Sequence, residues 1–195
     1  MTLNPLVSAL NAGRADQAAE ALAALEKSGV SPKVIEVGRG LVASLSRDGK
    51  KTPAEISGER VSLSDCQPAE AKVGWGQAAY DRLPDPGAIV SLGGELAVRS
   101  IYAHAPARHV WDLGGKWKRL EGAAGLADGK SGGSVDFRIV GDGRELWKSG
   151  KLEEGMRKPF GINVSGVKKL ELITGDGGDG TFTDWAMWGD VVLVR

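Results

Sequence analysis

Residues 135–149 read VDFRIVGDGRELWKS. Two runs of alternating apolar and polar residues flank the pair Asp142-Gly143. Alternation with a period of two places successive side chains on opposite faces of an extended strand. Asp-Gly between two such runs is a strong hairpin signal. The stretch therefore predicts a β-hairpin with Phe137, Ile139 and Leu146 turned towards a core.

The same grammar extends outward. Short runs at 87–94 (GAIVSLGG), 95–104 (ELAVRSIYAH), 108–115 (RHVWDLGG), 117–125 (WKRLEGAAG), 160–175 (FGINVSGVKKLELITG) and 188–195 (WGDVVLVR) are separated by Gly, Asp and Pro. Val167, Leu170 and Leu172 form another inward set. Many short strands with frequent turn signals predict an antiparallel β-sandwich or barrel, whose function sits on end loops or on a concave sheet face.

The grammar stops towards the N-terminus. Residues 1–74 contain no Phe, Tyr or Trp, while all six tryptophans lie between Trp75 and Trp188. The first part reads as short helices. Asn4 is placed as an N-cap with Pro5 in the first helical position; residues 15–29 are rich in Ala, Leu and Glu, with Leu22 and Leu25 on one face and Gly29 as C-cap. A third helix starts with Ser31 as cap and Pro32 in the first turn and ends near Gly49; residues 47–60 read as a linker. Three helices of this length make a small core, so they are expected to pack on one another and on the following domain. The division is thus a helical segment at 1–55 and a β-sandwich at 60–195.

The chain of 195 residues carries 25 basic and 25 acidic side chains, and its formal net charge is zero. That balance argues against nucleic acid as a partner. No apolar run reaches the roughly 20 residues of a membrane span, and residues 1–20 lack a signal peptide's basic start and apolar middle. The protein is then either cytoplasmic or a piece of a longer exported chain. The single cysteine, Cys66, excludes a disulfide framework within the chain and reads as a small, partly buried residue at the start of a strand.

The only two histidines, His104 and His109, lie five residues apart. On a strand an odd spacing points them to opposite faces, so they do not chelate a metal together. No G-x-S-x-G elbow is present, and no carboxylate pair is singled out for glycoside hydrolysis. No catalytic constellation is visible. Residues 175–180 (GDGGDG) lack the Lys-Ser/Thr of a P-loop, and DGGDGTFTD lacks the terminal Glu of an EF-hand. They read as a tight loop between strands, with a structural Ca²⁺ held by carbonyls and by Asp128, Asp176 or Asp179 as the alternative.

Four segments in order carry a family resemblance: KVGWGQAAYDR (72–82), LGGELAVRSIYAHAPARHVWDLGGKWKRLEG (92–122), GSVDFRIVGDGRELWKSG (133–150) and VSGVKKLELITGDGGDGTFTDWAMWGDVVLV (164–194). Over about residues 60–195 the chain resembles the NPCBM family of carbohydrate-binding modules. Trp75-Gly76, His104-Ala105, Gly133-Ser134-Val135 with Asp142-Gly143, and Asp184, Trp188 and Asp190 match its pattern. Ala107 replaces a usual small hydroxyl residue, Trp185 stands where the family often has His, and the Gly before the His-Ala pair is absent.

The resemblance implies a galactose-binding-like jelly roll. It also implies a non-catalytic module that binds galactose-type sugars, needs no cofactor beyond a structural Ca²⁺, and belongs to a longer extracytoplasmic protein, periplasmic or secreted. On that reading Trp75, Trp185 and Trp188 stack on a sugar's C–H face, and His104 hydrogen-bonds a hydroxyl. Asp184 and Arg108 then bond vicinal hydroxyls. The competing function is a structural or protein-interaction module that has lost sugar binding, with the N-terminal helices docking a partner or other domains. Residues 1–55 match no family.

Overall fold

The computed structural model describes residues 3–11, 14–45, 50–84, 90–130 and 132–195. The decisive hairpin forms as its sequence requires. Strands β8 (Ser134–Gly141) and β9 (Arg144–Glu153) pair antiparallel, with Gly141 opposite Arg144. The two residues between them, Asp142 and Gly143, have φ of 49° and 83°, the positive values a type I′ turn needs. The Asp142 carboxylate accepts the backbone N–H groups of Lys169 and Lys168, which hold it below its ordinary range and tie the hairpin to the neighbouring strand. Phe137 and Ile139 are fully buried, and Leu146 packs against the same core.

Among the described residues ten strands make the sandwich. Besides β8 and β9 they are β1 (Arg60–Ser62), β2 (Glu70–Lys72), β5 (Ser100–Tyr102), β6 (Ala107–Asp112), β7 (Arg119–Leu126), β10 (Arg157–Asn163), β11 (Lys169–Gly175) and β12 (Ala186–Val194). One sheet runs β1-β12-β7-β10, with β5 also paired to β12; the other runs β2-β6-β11-β8-β9. The pairings reported for both sheets are antiparallel. Between the sheets lie Trp111, Trp117, Leu120, Phe137, Ile139, Leu170, Leu172 and Trp188, all excluded from solvent. Cys66 is buried in this core, and burial pushes its thiol up to about 12, so it acts as a small packing residue.

Strand β12 changes phase part-way along. Its pairing register with β7 shifts between Gly189 and Val192, and Asp190 takes φ 48°. Before this bulge Ala186 and Trp188 face the core; after it Val191 and Leu193 do. The opposite face before the bulge carries Met187, which packs with Leu92, Ala97 and Tyr102 beneath a small hairpin, β3 (Val90–Leu92) and β4 (Glu95–Ala97).

Among the described residues the N-terminal part forms three helices, α1 (Asn4–Asn11), α2 (Ala15–Glu26) and α3 (Pro32–Leu45). Gly29 adopts a left-handed φ of 75° after α2. The expected end of α3 near Gly49, and residues 87–89 of the expected strand run, lie outside the described residues. The helices share a core of Leu6, Leu10, Leu22, Leu25, Ile35 and Leu41, onto which Leu96 and Val98 of the sandwich pack.

The expected linker is corrected in its described part. Pro53–Glu55 form a 3-10 turn with a capping box on Thr52 and Glu55. The Trp117 indole N–H donates to Pro53 C=O at 3.2 Å, Lys116 Nζ donates to Ala54 C=O at 2.6 Å, and Ile56 packs on the sandwich core. Pro, Thr and Glu next to charged residues read as a linker. Instead, the turn closes one end of the sandwich and satisfies a buried indole.

Candidate functional site

One end of the sandwich gathers three chain segments: residues 73–84 after β2, residues 103–106 between β5 and β6, and residues 176–185 before β12. Their approach depends on Gly74. Its N–H donates to His104 C=O at 2.9 Å, and a Cβ at this position would sit 2.1 Å from the Ala105 carbonyl oxygen. Only glycine lets the following residue, Trp75, reach across to His104 and Trp185.

The ring centroids of Trp75 and Trp185 lie 5.1 Å apart, those of Trp75 and His104 6.2 Å, and those of His104 and Trp185 6.0 Å. Together with Gly74, Thr181, Phe182 and Thr183 they line an open cleft of about 530 Å³. Trp75 is 53% exposed and Phe182 85% exposed, unusual for such large apolar rings. Lys130 Nζ lies 4.3 Å from the Trp185 ring centroid. His104 is nearly buried, and its Nδ1 lies 3.1 Å from Ala105 C=O. A carbonyl only accepts, so Nδ1 carries a hydrogen towards it and Nε2 is the ring nitrogen left for a ligand.

Three of the residues expected to meet a sugar therefore converge: Trp75, His104 and Trp185. Three do not. Trp188 is fully buried, with ring centroids 4.9 Å from Phe137 and 5.9 Å from Phe160, because strand alternation turns it into the core. Arg108 lies on the face of β6 opposite the core, where its Nε donates to Glu171 at 2.8 Å and its Nη1 to Glu70; these ion pairs raise its pKa further. Asp184 lies beneath the cleft, wholly excluded from solvent. Its Oδ1 accepts the Ser134 N–H at 3.2 Å, and burial pushes its carboxyl up to about 6.

Asp184 thus works as a fastener. With Asp179, whose carboxylate accepts the Ser134 hydroxyl at 2.8 Å, it ties the loop bearing Phe182 to the start of β8. Phe182 itself escaped the sequence reading. Its signal was an isolated aromatic ring in a run of Gly, Asp and Thr, where no strand could bury it.

The two histidines do diverge, though not by strand alternation. Residues 103–106 are not strand, and the Ala105–Pro106 bond is cis, so no single strand joins the two positions. His109 points into the core, stacked on Trp111 at 5.9 Å.

The carboxylates considered for Ca²⁺ do not assemble as a set. The Asp128 oxygens accept the Gly93 and Gly94 N–H groups, both at 2.9 Å, and so close the β3–β4 turn. Asp176 accepts the Gly178 N–H. Asp179 is held below its ordinary range by the Lys151 ammonium at 2.8 Å, a position a cation would have to contest. Among the described residues no three His, Cys, Asp or Glu side chains are grouped to hold a metal ion.

Comparison with known proteins bears on this geometry. The family model of the NPCBM/NEW2 domain matches residues 59–194. The chain belongs to the NPCBM/NEW2 family. Its NPCBM/NEW2 domain is similar in structure to a CBM51 from Clostridium perfringens GH95 in complex with methyl-galactose. The TM-score is 0.65 with 25% identity, over 69% of this chain and 99% of that one. It is also similar to part of a Clostridium perfringens ZmpB chain that holds the M60 catalytic domain with the CBM51-1 and CBM51-2 domains, with a TM-score of 0.63 and 28% identity over 70% of this chain and 15% of that one. Alpha-1,3-galactosidase B of Akkermansia muciniphila is 37% identical over 108 residues, 52% of this chain. The chain spans only 14% of that galactosidase's length. The helical segment lies outside the family match.

Proposed function

We propose that the Trp75–His104–Phe182–Trp185 cleft binds a galactose-type sugar and that the chain is a non-catalytic carbohydrate-binding module of a larger extracytoplasmic glycan-active protein. The observation that carries this reading is the convergence of four ring side chains from three loops on one open cleft, two of them strongly exposed. Rigid aromatic faces suit the apolar C–H face of a pyranose, and His104 Nε2 suits a hydroxyl, which can both donate and accept. The methyl-galactose complex of a CBM51 at 25% identity supports the ligand class. A catalytic domain beside the CBM51 domains of ZmpB, and a galactosidase as relative, support the larger protein. Among the described residues no helix is long and apolar enough to cross a membrane.

Titration calorimetry with methyl-galactose tests the reading. A single sugar site of about 1 mM affinity represents roughly 4 kcal/mol. Losing one hydrogen-bonding group costs about 1–3 kcal/mol of that. Trp185→Ala and His104→Ala should therefore each abolish detectable binding while the melting transition stays cooperative. The quench of tryptophan fluorescence on binding should vanish with Trp185. If no galactose-type glycan binds the wild-type chain at millimolar concentration, the proposal fails.

A further inference from the structure

The N-terminal helices lie outside the matched family domain and line no part of the cleft. Their contact with the sandwich nevertheless leads to the loop that carries Trp75. The connection is Arg99, the residue immediately before β5. Its Nη1 donates to the Gly40 C=O of helix α3 at 2.9 Å and to Asp81 Oδ2 at 2.9 Å, and its Nη2 donates to Asp65 Oδ2 at 2.8 Å. Its backbone is clamped as well: Arg99 N–H donates to Asp190 Oδ1 at 2.9 Å, and Asp190 N–H donates to Arg99 C=O at 2.7 Å.

Asp81 ends the Trp75 loop. It has φ 59° and no exposed side-chain surface, and its Oδ1 accepts the Ser100 N–H at 2.9 Å. The loop is stitched along β5 and beyond: Gly74 N–H to His104 C=O, Tyr102 N–H to Ala79 C=O, and Asp81 N–H to Ser100 C=O, at 2.7 to 2.9 Å. A carboxylate buried at the end of that seam needs its countercharge, and Arg99 supplies it from a position 20% exposed. Helix α3 covers that guanidinium. It comes so close that a Cβ on Gly40 would lie 3.2 Å from Val98 C=O and 3.5 Å from Arg99 Cδ. Moving the helix away would admit water to the ion pair, raise the local dielectric and loosen the loop's anchor.

We propose that Arg99 is a positioning residue that couples helix α3 to the Trp75 loop, so that the N-terminal helices brace the cleft. The glycan part of this inference rests on the function proposed above; the brace itself is measurable without ligand. Gly40→Val in the full chain forces α3 off Arg99 and leaves Arg99, Asp81 and every cleft residue in place. Hydrogen exchange read by mass spectrometry should then show residues 73–83 exchanging about tenfold faster, with β8–β9 protection unchanged.

Arg99→Lys keeps the charge but loses the planar fork, and should give the same effect more weakly. Affinity for methyl-galactose should fall by up to about tenfold in Gly40→Val, because a loosened loop must be ordered on binding. Unchanged protection of residues 73–83 in Gly40→Val, with α3 displaced or melted, overturns the brace. If the wild-type chain does not bind methyl-galactose, the glycan reading falls while the exchange result still decides the brace.

Discussion

His109 gives the fold a defined weakness in acid. The imidazole is buried between the sheets with Trp111 stacked on it and Tyr80 edge-on at 6.2 Å. Neither ring nitrogen has a hydrogen-bond partner among the described residues. Burial lowers its pKa from 6.5 to about 4. The unfolded chain therefore binds the extra proton between those values and the folded chain does not. Stability held by neutral His109 is complete above pH 6.5 and is lost as the pH falls through 4.

Integrated over that window, the loss is roughly 3 kcal/mol in full, and about 2 kcal/mol between pH 7 and pH 4.5. His109→Leu removes the titration and the two unpartnered nitrogens at similar volume. At pH 7 it should be neutral or slightly stabilising, since an unpaired polar group is exchanged for an apolar one. Urea unfolding followed by tryptophan fluorescence, at intervals from pH 7 to pH 4.5, measures both chains. The variant should gain about 2 kcal/mol on wild type across the range. Parallel curves would refute the reasoning, because they would mean that His109 is protonated equally in both states.

Asp184→Asn should show the opposite slope. Its folded value near 6 stands above the ordinary 3.8, so its stabilising contribution is present below 3.8 and lost as the pH rises through 6; the variant gains on wild type over that rise. Trp188→Ala, at a site packed on Phe137, Phe160 and Trp147, should cost about 3–5 kcal/mol in urea unfolding and leave no measurable native site, in contrast to Trp185→Ala. A chain beginning at Lys50 should unfold cooperatively without the helices, whereas one beginning at Glu59 should be less stable by about 1–3 kcal/mol, because it strips the Trp117 indole of its Pro53 acceptor. Equal stability of the two chains would return the boundary to residue 60.

The sandwich was legible wherever one rule held over a whole segment. Alternation plus Asp142-Gly143 gave the hairpin, and Leu170 and Leu172 fell on the core side as alternation required, while Val167 reaches the same core from the turn before β11. The helices were legible from their Ala, Leu and Pro-capped starts. Strand β12 was less so, because the bulge at Asp190 reverses its parity: reading back from Val191 and Leu193 puts Trp188 on the wrong face. The sugar role of Trp188 came from the family resemblance, and the strand buries its ring in the core instead. Arg108 and Asp184 misled for a related reason. Charge is visible in sequence, but its partners, Glu70 and Glu171 for one and the Ser134 N–H for the other, arrive from distant strands.

The cleft is built where strand grammar fails. Among the described residues four non-glycine positions take positive φ: Asp81, Asp142, Thr183 and Asp190. Such backbone costs about 1–3 kcal/mol when nothing compensates it. Asp142 is answered within its own hairpin turn, as the sequence foretold. The other three lie outside hairpin turns: Asp190 in the β12 bulge, Thr183 in the turn before β12 and Asp81 in the loop after β2. Asp81 ends the Trp75 loop, Thr183 turns the chain between Phe182 and Trp185, and Asp190 clamps the backbone of Arg99. Two of these conformations thus set cleft side chains, and the third holds the residue that anchors one of the loops. If they served only to close the sandwich, their loss would lower stability alone. Because each fixes a loop or its anchor, their loss should first widen the spread of Trp75 and Trp185 orientations. Time-resolved tryptophan anisotropy of Thr183→Pro, whose ring forbids a positive φ, would register that change before the melting temperature moved.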